Sequence, residues 1–491
     1  MDPAKPSQEI LRTLTDEHVL RALMRHRLLT RAELSTETGI SKPTAGESVR
    51  RLTEAGLVVD TGQRTPGGRG KGRVGSYYAL APGIGTALAV SIAPEGVVAE
   101  HIDAYGDLMA RVEVEVGRPA RPDDVAAALA RAVDAACSTA RAGGNAGVLG
   151  PAGTFSAVAE QGSGGVGPVA SYPGGAAGSA GKSGPGSGGD AVSGSGGDRA
   201  AGWGGEGVPG SGGALVAGSG GGRAAGWGGD GVPGFGGALV AGSGGGRAAG
   251  WGGEGVPGSG GARAVGTDVV RARLAVVSAA DPVDRHSGRL VQLPDAPFLL
   301  GEIDPVAVLS GRVDGPVHVD NDVNWAAQAE RRANPLDDFA YVYLDEGLGC
   351  AIVSDGEVRR GHHGLAGEVA HLITVGPGGR AMPLIEVFGE LGLRRAGGGT
   401  AIDVDRLLAE RPREVVTAVG GLVAALATLM DPETVVIGGR WGTALIDEIR
   451  RETSQLPRAV HVRAASVDDE PSLSGARADA LRRLQELIVG R

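Results

Sequence analysis

The residues best suited by type and spacing to do chemistry lie near the start of the chain, and that chemistry is recognition of a polyanion. Residues 64–73 read RTPGGRGKGR, placing Arg64, Arg69, Lys71 and Arg73 among glycines. Glycine lets such a segment lie flat along a phosphate backbone or in a minor groove. Shortly before it, Ser41, Lys42, Thr44, Arg50 and Arg51 fall within one segment of helical character. Cations there would meet phosphates or guanine edges, and the hydroxyls either. Residues 1–80 hold 13 Lys/Arg against 9 Asp/Glu, although the whole chain carries a formal charge of −10. A basic end on an acidic body points to a polyanion partner at one end only.

These side chains need helices and a hairpin to aim them. Val19, Leu20, Leu23 and Met24 form one apolar helix face. A second short helix covers 31–38 and stops at Gly39, whose missing side chain suits a left-handed cap. Ser41 then opens a third helix, 42–55, closed by Gly56. Two short β segments, 57–60 and 76–80, bracket the Gly/Arg loop. That order predicts a winged helix-turn-helix over 1–82, with helix 42–55 in the major groove of double-stranded DNA. A winged helix that docks on another protein follows the same pattern, and Gly46 and Glu47 weaken the helix and its positive charge.

Beyond Ile84, strands alternate with helices. Segments 86–93, 96–104 and 110–117 are strand-like, and a helix starts near Pro122-Asp123-Asp124, whose acids suit its N-terminus. Strand patterns return at 271–279, 316–320, 341–345, 351–356 and 434–439, with helices from Asn324 and over 415–430. The fold class is therefore α/β. Between the two parts, 49 of the chain's 89 glycines fall in residues 144–267. A 24-residue repeat starts at Ala200, Ala224 and Ala248 and keeps Trp203, Trp227 and Trp251 in register. Its first copy has 11 glycines, leaving too little apolar surface to offset a backbone entropy of about 1–2 kcal/mol per residue. A flexible, disordered insertion in a surface connection is expected, its tryptophans being weak contact points or relics of repeat expansion.

Other classes drop out. No run of 18 apolar residues predicts a membrane span, and the N-terminus lacks the apolar core of a secretory signal. Two cysteines, Cys137 and Cys350, cannot build a disulfide framework or a multi-cysteine zinc site. A cytoplasmic, nucleoid-associated location is expected.

Four blocks in order resemble the ROK family (repressors, open reading frames and sugar kinases), specifically its transcriptional regulators. They are RAELSTETGISKPTAGESVRRLTEAGLVV with the basic GGRGKGR, HVDNDVNWAAQAE at 318–330, GLGCAIVSDGEVRRGHHGLAGEVAHL at 347–372, and MDPETVVIGG at 430–439. The resemblance covers 1–143 and 268–491. It implies a sugar-kinase-like, two-lobed α/β body of actin/hexokinase and ribonuclease H type over 83–143 and 268–491. It also implies that Asp322 matches the kinases' general base, and that Asn321, Glu368, His371 and Glu386 match sugar-binding positions, with Asp295 a weaker candidate. Such groups offer the paired donors and acceptors that vicinal hydroxyls need. Asn321 and Asp322 could equally cap the following helix.

The departures from the family pattern carry as much information. Ser91 stands where the first phosphate loop has its Asp, with Pro94-Glu95 in the Gly-Thr region, and Asp345-Glu346-Gly347 replaces a Gly-Thr-Gly loop. Carboxylates there are expected to repel ATP, so no kinase activity is expected and Asp322 is at most a vestigial base. The family zinc site joins the match of His371 to three cysteines, all missing after Leu372, so neither metal nor cofactor is expected. The family's Pro-Gly turn, after the strand at 271–279, has become Ala280-Asp281. The expected protein is thus a homodimeric or homotetrameric DNA-binding regulator, most simply a repressor, that senses a sugar or sugar phosphate. An effector-blind DNA-binding and dimerisation protein, and an active sugar kinase, are the other readings.

Overall fold

Local signals fix the N-terminal helices. Helix α1 (Gln8–His26) is followed by a two-residue strand β1 (Leu29–Thr30) and by α2 (Arg31–Thr38). Thr30 and Glu33 form a reciprocal capping box, and Gly39 ends α2 at φ +70°. Helix α3 (Lys42–Glu54) starts at Ser41, whose hydroxyl accepts from the Thr44 N–H at 3.3 Å, and has Pro43 in its first turn. Strands β2 (Val58–Arg64) and β3 (Ser76–Leu80) pair antiparallel, and β1 adds to the other edge of β3. Val19, Leu23, Leu34, Val49, Leu52 and Val58 are buried between these elements. This is the expected winged helix-turn-helix, with β1 added.

The structure, a computed structural model, describes residues 8–65, 75–118, 120–142, 147–149, 155–157, 271–293, 302–397 and 399–490. Arg69, Lys71, Arg73 and Asp295, and the Gly-rich repeats, lie outside the described residues.

Two sheets make the body. The first contains β4 (Ala87–Ala93), β5 (Gly96–Ile102) and β6 (Leu108–Glu115) as an antiparallel meander. Helix α4 (Pro122–Ala142) follows, with two short strands β7 (Gly147–Leu149) and β8 (Phe155–Ala157) beyond β6. Those strands fall inside the block expected to lack structure, so sheet pairing runs past its start at 144. Strand β9 (Ala275–Ala279) inserts parallel to β4; after α5 (Pro305–Leu309), β10 (Val317–Asn321) completes the order β10-β9-β4-β5-β6-β7-β8. Helix α6 (Asp322–Ala333) leads to the second sheet.

That sheet starts with β11 (Phe339–Leu344), β12 (Leu348–Ser354) and β13 (Glu357–Val358). A small hairpin of β14 (Ile373–Val375) and β15 (Ala381–Pro383), then helices α7 (Leu384–Glu390), α8 (Val404–Glu410) and α9 (Arg413–Met430), come next. Strand β16 (Thr434–Gly438), helices α10 (Arg440–Ala444) and α11 (Ile446–Thr453), and strand β17 (His461–Ala464) give the order β13-β12-β11-β16-β17. Helix α9 is long and apolar enough to cross a membrane, although no unbroken run of 18 apolar residues occurs in it. Its Val415, Val419, Leu422 and Val423 are buried in the core of this lobe.

The last element, α12 (Pro471–Val489), was not foreseen, although Leu473, Ala476, Ala480, Leu484 and Ile488 recur at helical spacing. It packs on α6 and β4 and touches α1. Its Leu484 and Ile488 share one apolar cluster with Val19 and Leu23 of α1 and Leu274 beside β9. The described residues accordingly fall in one compact unit.

Candidate functional site

Ser41, Lys42 and Thr44 are exposed on the first turn of α3, where helix geometry and charge suit a phosphate or base edge. The later arginines are already engaged. Arg50 is exposed but paired within its own helix to Glu47 at 2.6 Å and to Glu54. Arg51 donates to both oxygens of Asp16 on α1 at 2.5 and 3.1 Å, and Ser48 donates to the same carboxylate. Arg51, expected to face DNA, is therefore occupied in clamping α3 to α1. Arg64 pairs with Asp60 at 2.9 Å on the rising arm of the wing.

The second site is a cleft of about 800 Å³ in the body, lined among others by Ser91, Asp281, Asn321, Asp322, Glu368 and His371. Residues far apart in sequence meet there because β9, β10 and the 360–371 loop end at the same place. Two glycines hold that loop. Gly364 (φ +87°) lies so close to Val283 that a Cβ would sit 2.0 Å from its carbonyl oxygen. At Gly367 (φ +100°) a Cβ would sit 1.8 Å from the Cys350 carbonyl oxygen, while the Cys350 N–H donates to Gly367. Glu368 follows directly and is aimed into the cleft. Buried Asp320 fastens the loop base, accepting from Arg360 Nε at 2.7 Å and from Asn324 at 2.8 Å.

Asn321 and Asp322 divide the two roles foreseen for them. Asn321 is the cap: its Oδ1 accepts from the Val323 N–H at 3.0 Å, and its amide donates to the Ala279 and Asp281 carbonyls at 3.4 Å. Asp322 accepts from the same N–H at 2.7 Å through Oδ1 and lines the cleft. Its carboxyl is pushed up to about 7, chiefly by burial. Glu368 is also pushed up to about 7 by burial and then by Asp322. Asp281 reaches about 7 through burial, then through Asp322 and Glu368. Three mutually repelling carboxyls thus meet in one cleft. Sequence reasoning had treated Asp281 only as a broken turn; nothing in the local pattern signals that it joins the other two.

His371 lies exposed at the cleft rim. Glu386 is not among the lining residues; it is more than half exposed on α7 and pairs with Arg394 at 3.1 Å. Cys350 lines the floor with its thiol pushed up to about 12 by burial, which leaves it un-ionised.

Two family models match the chain: the ROK family over residues 267–382, and a winged helix-turn-helix DNA-binding model over residues 12–59. The chain carries a ROK domain. Among curated relatives, the bifunctional enzyme NanE/NanK of Brucella suis biovar 1 (strain 1330) is 31% identical over 153 residues, 28% of this chain and 28% of that protein. The beta-glucoside kinase of Klebsiella pneumoniae is 28% identical over 190 residues, 33% of this chain and 62% of the kinase. The chain therefore spans less than two thirds of either relative's length. A solved ROK family transcriptional regulator, described as a homolog of the Escherichia coli MLC protein, superposes with TM-score 0.51 at 14% identity, covering 98% of this chain and 99% of that one. At that identity the likeness concerns the fold.

The residues that the resemblance places in the phosphate loops line the same cleft and are paired within the chain. Glu346 takes Arg118 at 2.9 Å and Arg395 at 2.8 Å, and Arg118 also reaches Glu95 at 3.5 Å. Asp345 accepts from the Arg440 backbone N–H at 2.9 Å through Oδ2, and its carbonyl accepts from Trp441 Nε1 at 2.9 Å. These carboxylates are not bare charges that repel ATP, as expected from sequence. They occupy the donors that a phosphate would need. The family's zinc does not fit either: no cysteine follows His371, and Cys137 and Cys350 are both buried. Among the described residues no three His, Cys, Asp or Glu side chains form a metal-holding group.

Proposed function

We propose that this chain is a transcriptional regulator whose winged helix binds operator DNA and whose ROK cleft binds a sugar-like effector without phosphorylating it. The observation that supports the reading is that Asp322, Glu368 and His371 line one cleft, while Arg118 and Arg395, which line it too, are already paired to Glu346. A ligand in that cleft touches the turn after β9, the end of β10 and the Glu368 loop together, and so favours one arrangement of β9 and α6, which pack on α12 and through it contact α1. In a homodimer, such a bias moves two recognition helices off successive major grooves, roughly 34 Å apart. Repression relieved by the effector is the simplest outcome.

The test is operator binding titrated with sugars and sugar phosphates, alongside thermal unfolding. A ligand at 100 times its dissociation constant stabilises the fold by about 2.7 kcal/mol. Asp322→Asn should remove both the shift and operator release. A response that survives in the variant argues against the cleft. Turnover of ATP with any hexose would restore the kinase reading. The effector-blind reading draws on Asn321, whose polar atoms are already bonded within the fold. A panel that shifts neither stability nor operator affinity would favour it.

A further inference from the structure

Asp281 is the feature that this function does not absorb. It follows β9 directly, its side chain is only 2% exposed, and it lines the cleft. Its Oδ2 is buried without a hydrogen-bond partner. Burying an unpaired carboxylate is costly, so such a group persists where something bound completes it. The arginines lining the cleft do not. Arg118 and Arg395 are held by Glu346, and Arg440 by Asp405 at 3.1 Å. Arg360, nearby, is held by Asp320.

Resting on the sugar-effector reading above, we infer that the ligand is a polyhydroxylated compound bearing a free amine, whose ammonium group docks against Asp281 in the cleft that Asp322 and Glu368 also line. An ammonium brings N–H donors and one positive charge to the unpaired Asp281 carboxyl, whereas a neutral hydroxyl brings one donor and leaves the repulsion among the carboxyls in place. The raised proton affinity of all three carboxyls fits a site short of one positive charge. Acylation of the amine removes both the charge and two donors. A phosphate placed beside these carboxyls would be repelled, while the Arg118–Glu346–Arg395 bridge occupies the cations that could hold it elsewhere in the cleft.

The experiment is calorimetric titration of the full chain at pH 7 with glucosamine, galactosamine and mannosamine, each beside its parent hexose and its N-acetyl derivative. At least one hexosamine should bind about tenfold or more tighter than its parent, and N-acetylation should abolish the advantage. Asp281→Asn, which keeps shape and removes charge, should cut that preference of hexosamine over parent hexose about tenfold. Its unliganded melting temperature should rise at pH 8, which also reports that the variant folds. Parent hexoses binding as tightly as the amines, or a preference unchanged in Asp281→Asn, would overturn the inference and leave the sugar reading standing. If neither hexoses nor hexosamines bind, the polyol reading of the cleft falls and the amine assignment with it.

Discussion

Arg51 and Asp16 show how one ion pair can be mistaken for a DNA contact. Both side chains are about a quarter exposed, and the pair joins α1 to α3 with Ser48 as a third member. Arg51→Met should cost about 1–3 kcal/mol, because it strips a charged partner from a partly buried carboxylate. Arg50→Ala, at an exposed pair, should leave the melting temperature unchanged. Operator affinity falling in the Arg51 variant with no change in thermal stability would return Arg51 to the DNA face. The cleft carboxyls make a separate claim about pH. Asp281, Asp322 and Glu368 are each raised to about 7 in the folded chain, above their ordinary values of 3.8 and 4.5. The folded state therefore holds protons that the unfolded state has already lost, and these groups lower stability as pH rises from about 4 through about 7. Asp281→Asn should flatten that fall, so its gain over the parent chain should be larger at pH 8 than at pH 5 in thermal melts.

At the scale of elements, two glycines with left-handed backbone have different reasons to be glycine. Gly39 turns the chain between α2 and α3, and a Cβ there would meet no atom within 4 Å. Gly39→Ala should cost only the backbone strain, about 1 kcal/mol, and leave effector binding untouched. Gly367 combines its positive φ with a contact that a side chain would destroy. Gly367→Ala must push the loop off Cys350 and take Glu368 with it. Its melting temperature should fall further than that of Gly39→Ala, and the effector-induced shift should disappear. If the two variants behave alike in ligand titrations, the loop does not aim Glu368.

At the scale of the whole molecule, a small junction joins the winged helix to the first lobe. Arg27, itself at φ +66°, donates to both carboxylate oxygens of Asp107 in the first lobe and lies over the Tyr105 ring at 5.0 Å. Tyr105 in turn accepts from the Leu80 N–H at the end of the wing strand β3 at 3.0 Å. The junction is exposed and polar, while beneath it α1 and α12 share apolar packing. Arg27→Ala should therefore leave folding and operator affinity close to normal while weakening the effector's influence on operator release. Footprinting with and without effector would read that ratio, and an undiminished response would mean that the apolar α1–α12 contact alone transmits it.

The sequence by itself determined what local chemistry controls. The cap at Ser41, the glycine turn at Gly39 and the strands of the body were legible, because each depends on neighbours a few residues away. The family resemblance supplied Asn321, Asp322, Glu368 and His371, and the fold gathers all four in one cleft. Only the tertiary structure decided which charged groups were free to act. Arg51 is held by a residue 35 positions earlier, and Glu346 by arginines from two distant loops. Asp281 meets carboxyls from two distant segments. Whether a charge is available or already neutralised depends on separations of a few ångströms across the fold, and sequence spacing does not encode those distances.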